Sequence, residues 1–139
     1  SDYSTGNIKN SKFINIDGDA IDTSGSNVEI FGVKILNVGD KGISAGEESI
    51  VTVSNILIDN AKIGIASKDS SKVLGNNLVI SNSREFDLAS YNKKKIFGGG
   101  SIEVEKIVSG NKYLSQKNSI IKIDQKKIIE KKFNTKDLY

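Results

Sequence analysis

The chain has 139 residues, enough for one domain, with 37% hydrophobic residues, few aromatics and no Trp, Met or Pro. Cys and His are both absent, which excludes disulfides, thiolate or imidazole metal sites, Cys nucleophiles, Ser-His-Asp triads and a His general base. The net charge of +3 conceals an asymmetry: residues 1–90 carry 8 basic and 12 acidic side chains (−4), residues 91–139 carry 12 and 5 (+7).

Only Arg84 among the 20 basic residues is Arg, and nucleic-acid readers depend on Arg forks and stacking aromatics, so no nucleic-acid partner is expected. The Lys surplus reads as solvated surface. No window of about 18 apolar residues is present, so no membrane span is expected. No apolar leader opens the sequence and no Met occurs, so a processed or excised piece of a longer protein is expected.

In chain order, Ser1 to Gly6 read as a polar turn. A first coil then runs through Lys12-Phe13-Ile14-Asn15, a turn at Asp17-Gly18-Asp19, Ala20-Ile21-Asp22 and a corner at Ser24-Gly25-Ser26. The stretch Val28–Lys68 writes one pattern twice. Val28-Glu29-Ile30, Lys34-Ile35-Leu36-Asn37 and Gly42-Ile43-Ser44-Ala45 match Val51-Thr52-Val53, Leu57-Ile58-Asp59-Asn60 and Gly64-Ile65-Ala66-Ser67. A fourth copy spans Lys72 to Ala89.

Three columns hold over the four copies: Asn15, Asn37, Asn60, Asn82; Ile21, Ile43, Ile65, Leu88; and Asn10, Gly32, Asn55, Asn77, all spaced by 22 or 23 residues. A fixed period of this length marks a solenoid. Short Ile- and Val-rich runs with turn residues between them are strands. The expected fold is therefore all-β: a right-handed parallel β-helix of about five coils, about 22 residues per coil, with an irregular C-terminal end. Stacking like on like would build an Ile/Val core and an asparagine ladder along the axis, with Asn and Gly taking the left-handed corners.

After Ala89 the pattern breaks at Tyr91-Asn92-Lys93-Lys94-Lys95-Ile96-Phe97-Gly98-Gly99-Gly100, which reads as a loop folded over the coil edge. Ser101-Ile102-Glu103-Val104-Glu105 starts a fifth, irregular coil. Residues 1–110 form the coils. Residues 111–139 form a terminal strand pair around Asp124-Gln125 and a charged tail, Glu130–Tyr139, expected to cap or fray from the solenoid end.

These columns resemble the right-handed parallel β-helix proteins of the pectin-lyase-like superfamily over roughly residues 7–110. Gly39-Asp40-Lys41-Gly42-Ile43-Ser44, Ile63-Gly64-Ile65-Ala66-Ser67-Lys68-Asp69 and Ala89–Lys95 resemble, more narrowly, β-helix tails of large bacterial surface proteins, some of which follow spore-coat-kinase-like modules. The resemblance implies an extracellular or cell-surface location and a structural stalk or cap with weak glycan binding. Independently, an N-terminal coil with no visible cap leads to the expectation of a neighbouring domain or subunit over that end.

The alternative it implies is a Ca-dependent polysaccharide lyase or a glycoside hydrolase. Its candidate catalytic residues are Asp17, Asp19, Asp40 and Arg84, with Lys41, Lys62 and Glu85 on the same expected stripe of stacked corners, and its candidate calcium ligands are Asp17, Asp19 and Asp22. Asn15-Ile16-Asp17-Gly18 is similar to the Asn-Thr-Asp-Gly motif of polygalacturonases, but Asp40 stands alone where that pattern has an Asp pair, and its Gly-His-Gly and Arg-x-Lys are missing. Mannuronan epimerases likewise expect a His. As structure, the same Asp and Lys residues are turn formers with axial charge pairing.

Overall fold

A computed structural model describes residues 4–139. Its chain winds into a parallel β-solenoid of about five turns, about 22 residues apart. Coil one comprises β1 (Ser4–Lys9), β2 (Lys12–Ile16) and β3 (Ile21–Ser24); coil two β4 (Ser26–Val38) and β5 (Lys41–Gly46). Coil three comprises β6 (Ile50–Asp59) and β7 (Ile63–Lys68); coil four β8 (Lys72–Ser81) and β9 (Phe86–Tyr91); coil five β10 (Ser101–Val108) and β11 (Tyr113–Gln116). The end is built from β12 (Ile120–Ile123), β13 (Lys126–Lys127), β14 (Glu130–Lys131) and a 3-10 turn at Thr135–Leu138.

Two sheets result. Sheet A stacks β1, β4, β6, β8, β10, β12 and β13, with β2 also on β4; sheet B stacks β3, β5, β7, β9, β11 and β14. The register follows the sequence columns: Val28 lies on Val51 and Val51 on Val73, and Ile21, Ile43, Ile65 and Leu88 stack in one line.

The first two expected runs of coils two to four join into one strand that bends where one residue goes left-handed: Gly32 (φ +66), Asn55 (φ +54) and Asn77 (φ +60). A Cβ at Gly32 would lie 2.7 Å from Asn10 Oδ1, so the Asn10 side chain would have to move to admit one. The second corner takes Asn15, Asn37, Asn60 and Asn82 at φ between +54 and +60. Asn tolerates this backbone better than other residues with a Cβ, which is why the period is written in Asn.

Ile30, Ile35, Ile43, Ile58, Ile65, Leu88 and Ile102 point inward and are fully buried. Each adds roughly 1.5–3 kcal/mol of apolar burial. Asn side chains bond along the axis at both corners: Asn37 Nδ2 donates to Asn15 Oδ1 (3.4 Å), Asn60 Nδ2 to Asn37 Oδ1 (3.1 Å), and Asn77 Nδ2 to Asn55 Oδ1. The ladder of the second corner ends at Asn82, whose amide donates to Asp59 Oδ1 (2.7 Å) instead.

Two expectations differ from the structure. Ser4–Gly6 belong to β1, because they pair in register with Ser26–Val28, while Ser1–Tyr3 of the expected turn lie outside the described residues. The tail begins at the end coil, where β14 extends sheet B past coil five, and its remainder does not stay there. It folds back along the outer face of sheet B: β14 pairs with β11 of coil five, Phe133 meets Phe86 of coil four edge to face (6.2 Å), Lys62 Nζ of coil three donates to the Leu138 carbonyl (2.7 Å), and Tyr139 lies over Lys41 of coil two. The driving force is an apolar strip on the outside of the sheet, Ile63, Ala66, Ala89, Tyr91 and Leu114, which the tail covers and which buries Leu138.

The terminal strand pair forms as expected, with β12 and β13 antiparallel around left-handed Asp124 and Gln125. The excursion after Tyr91 is held by Asn92, whose amide donates to the carbonyls of Lys94, Phe97 and Gly98 (2.7–2.9 Å). No helix among the described residues is long and apolar enough to cross a membrane.

Candidate functional site

The corners that carry the polar candidates stack, but into two separate neighbourhoods. The first is the Asn corner, where Asp17 and Arg84 line an open recess of about 330 Å³ with Asn15, Asn37 and Asn60. Arg84 is exposed there, and both of its terminal nitrogens are hydrogen-bonded. Its Nη1 donates to Asn60 Oδ1 (2.7 Å) and the Asn60 carbonyl (3.2 Å), and its Nη2 donates to the carbonyls of Val38 (2.8 Å) and Gly39 (2.9 Å). The guanidinium fork thus bridges acceptors of two successive turns, a task a point-charge ammonium performs poorly.

The second neighbourhood lies on the outer face of sheet B, under the tail. Lys41 is 2% exposed, pairs through Nζ with Asp40 Oδ2 (3.2 Å), and donates its backbone N–H to Asp19 Oδ1 (3.0 Å). Burial pushes the Asp19 carboxyl above its ordinary range against the pull of Lys41. Asp22, on β3, adds its charge to the same group. Tyr139 closes the cluster: Lys93 Nζ is 4.1 Å, Lys41 Nζ 4.8 Å and Lys68 Nζ 5.7 Å from its ring centre. Its hydroxyl is 2.7 Å from the Tyr91 hydroxyl and accepts from Lys68 Nζ (3.4 Å).

Burial, ahead of repulsion from Lys41 and Lys93, lowers the Lys68 ammonium below its ordinary value. Burial likewise pushes the Tyr139 phenol up to about 12 and Tyr91 higher still. Lys62 belongs to the tail's anchorage: besides the Leu138 carbonyl it pairs with Glu85 Oε2 (3.6 Å).

The structure thus brings Asp19, Asp22, Asp40 and Lys41 together and places Asp17 with Arg84 elsewhere. Among the described residues no three acidic side chains converge as a metal cage, around Asp17, Asp19 and Asp22 or anywhere else. Sequence reasoning missed Lys68, Asp69, Tyr91 and Tyr139. The one available signal was two tyrosines in a chain that has only four, each at a point where the repeat fails.

At the third corner a smaller recess, about 120 Å³, opens between the coil edge and the Lys93–Lys94 backbone. Its floor is Asp69, 1% exposed. Asp69 Oδ1 accepts from the backbone N–H groups of Lys93 (2.7 Å) and Lys94 (2.9 Å) and from Asn92 Nδ2 (3.2 Å), so it fastens the excursion to coil three. Asp69 Oδ2 is buried with no hydrogen-bond partner. At the rim Lys94 pairs with Glu47, which also accepts from Ser24 Oγ (2.9 Å) and whose carboxyl is held below its ordinary range by the Lys94 bond.

Comparison with family models, with characterised proteins and with solved structures finds no match to this chain.

Proposed function

We propose that this chain is a non-catalytic structural module, a stalk or cap of a larger extracellular or cell-surface protein, with weak glycan binding on its side. The reading places it beside the pectin-lyase-like β-helices, and more narrowly beside β-helix tails of bacterial surface proteins, on the strength of the column pattern and the solenoid. The observation that carries it is Arg84. The one guanidinium of the chain is spent on four acceptors of its own corner, which is what a spacer needs to hold its turns in register and what a catalytic base or substrate clamp cannot tolerate. Lys41 is committed in the same way, buried against Asp40 beneath the Tyr139 ring.

Glycan binding is supported by an open cavity of about 480 Å³ on sheet A, lined by Leu74, Asn76, Glu103, Glu105 and Lys122 among others. A neighbouring domain or subunit belongs to the reading because β1, β2 and β3 pair on one side only among the described residues and leave Ile8, Phe13 and Ile16 half-buried.

The rival, a polysaccharide lyase or hydrolase, is separated by one experiment. The protein is mixed with polyuronates, and ultraviolet absorbance of unsaturated product and reducing ends are followed, for the natural sequence and for Arg84→Ala. The structural reading expects no product from either and a loss of about 1–3 kcal/mol of stability in Arg84→Ala, as backbone acceptors lose their donor. Product that disappears in Arg84→Ala while the fold persists overturns it.

A further inference from the structure

The positive charge of residues 91–139 is gathered most densely at the far end of the solenoid, in residues 126–132. There β13 is the last strand of sheet A and β14 the last strand of sheet B, so this segment crosses from one sheet edge to the other past coil five. Lys126, Lys127, Lys131 and Lys132 are all exposed on it. Lys127 pairs with Glu130 (3.8 Å), whereas Lys126, Lys131 and Lys132 hold no ion pair among the described residues. Lys117, exposed and equally unpaired, joins them through its backbone N–H, which donates to the Lys131 carbonyl (2.8 Å).

Ile128 and Ile129 divide this crossing between inside and outside. Ile128 packs against the core and donates its backbone N–H to the Ile121 carbonyl (2.8 Å), while Ile129 is 83% exposed. The one large hydrophobic residue more exposed among those described is Ile96 at 87%, which follows Lys93, Lys94 and Lys95 on the excursion. Its neighbour Phe97 lines a recess of about 380 Å³ together with Lys117, Asn118, Lys132 and Phe133, so the excursion and the end segment meet. Lysines on edge strands keep sheets from pairing edge to edge, and that accounts for the charge. It does not account for two isoleucines standing out among those lysines, which favour the association that the charge opposes.

A partner for this end has to take both features. An acidic polysaccharide would accept the ammonium groups but has no apolar interior to receive Ile129. An anionic lipid surface has negative headgroups over hydrocarbon, and its mobile headgroups call for point charges rather than the fixed fork of Arg, which suits an end built from Lys alone. We propose that residues 126–132 form a peripheral docking surface for an anionic lipid bilayer. Lys117, Lys126, Lys131 and Lys132 lie among the headgroups, and Ile129 enters the boundary with the acyl chains, with Ile96 on the flank. Past Phe133 the chain runs back along sheet B to coil two and leaves this end uncovered. The surface does not depend on glycan binding, and it would give a stalk or cap one fixed end.

The test is co-sedimentation of the whole 139-residue chain with vesicles of phosphatidylcholine alone or with roughly 30% phosphatidylglycerol. Binding to the anionic vesicles is expected, half-complete at roughly 0.1–1 mM accessible lipid, with little binding to the neutral ones. A lysine beside an anionic surface strengthens binding about fivefold, so Lys126→Gln, Lys131→Gln and Lys132→Gln together should weaken it about a hundredfold. Ile129→Ser should weaken it about fivefold to tenfold, and because the residue is exposed the melting temperature should not move. The chain has no Trp, so Ile129→Trp adds one fluorescent reporter whose emission should shift to shorter wavelength with anionic vesicles and stay unchanged with polygalacturonate.

Three results overturn the proposal: the chain does not sediment with anionic vesicles; it sediments equally with neutral ones; or Ile129→Ser binds as the natural chain does and the Ile129→Trp emission does not shift, which would leave only diffuse adhesion of a basic surface. Retention on immobilised polygalacturonate without any binding to vesicles would assign this end to an acidic glycan instead.

Discussion

The Asn corner and the outer face of sheet B are both polar surfaces of one solenoid, and they are built on opposite plans. At the Asn corner the bonds run between neighbouring turns, 22 to 24 positions apart, and Arg84 also reaches across two turns. On sheet B the contacts that matter join Lys62 to Leu138, Tyr91 to Tyr139 and Phe86 to Phe133, positions with no repeat relation. Repetition supplies a scaffold whose energy is nearly a sum of neighbour terms, whereas individuality comes from the singular residues that cross it.

The sharpest way to break the contrast is to damage a repeated position. Ile65 is fully buried between Ile43 and Leu88, so Ile65→Ala removes stacking on both sides at once. A loss of about 2–5 kcal/mol is expected, read by chemical denaturation, with both sheets melting together. Melting confined to the coils on one side of Ile65 would show that the turns are not one cooperative unit.

Those same positions were legible in the sequence, because a solenoid places identical environments one period apart and so writes its core and corners as columns. Asn37, Asn60 and Ile65 each announced their place. Arg84, Lys68, Asp69 and Tyr139 did not. Arg84 sat on the expected acidic and basic stripe, yet only three dimensions show its fork turned inward onto the Val38 and Gly39 carbonyls. Tyr139 belongs to a charged tail whose return path depends on the strip formed by Ile63, Ala89 and Leu114, residues contributed by three different coils. Alternation on a strand marks two faces, and nothing local says that the outer one will be covered.

A gentler perturbation separates the tail from the scaffold. Leu138 is buried at 1% exposure against the outer face of sheet B, and its replacement by Ala should cost about 2 kcal/mol or more of the tail's docking energy. Because the tail packs outside the main core, the loss should appear as local opening. Trypsin should then cut after Lys131 or Lys132 much faster than in the natural chain, while the midpoint of solenoid melting moves by no more than about 3 °C. A melting shift as large as that of Ile65→Ala would mean that the tail is part of the fold's cooperative core, and the two plans would merge.

The smallest effect tests where the ladder stops. Asp59 accepts from Ser81 Oγ and Asn82 Nδ2, both at 2.7 Å, and these two bonds hold its carboxyl below the ordinary value of 3.8. A depressed folded value means that the ionised form is favoured in the folded state. Its contribution is therefore present above pH 3.8 and lost as pH falls through the lower folded value. Being solvent-facing, the carboxylate should contribute no more than about 0.5 kcal/mol after screening. Asp59→Asn retains an acceptor for both donors but cannot titrate, so it should cost little at neutral pH and flatten the acid end of a stability profile taken from pH 6 downward. An unchanged acid limb would show that Asn82 holds the end of the ladder without help from that charge, and that the break in the column costs the scaffold nothing.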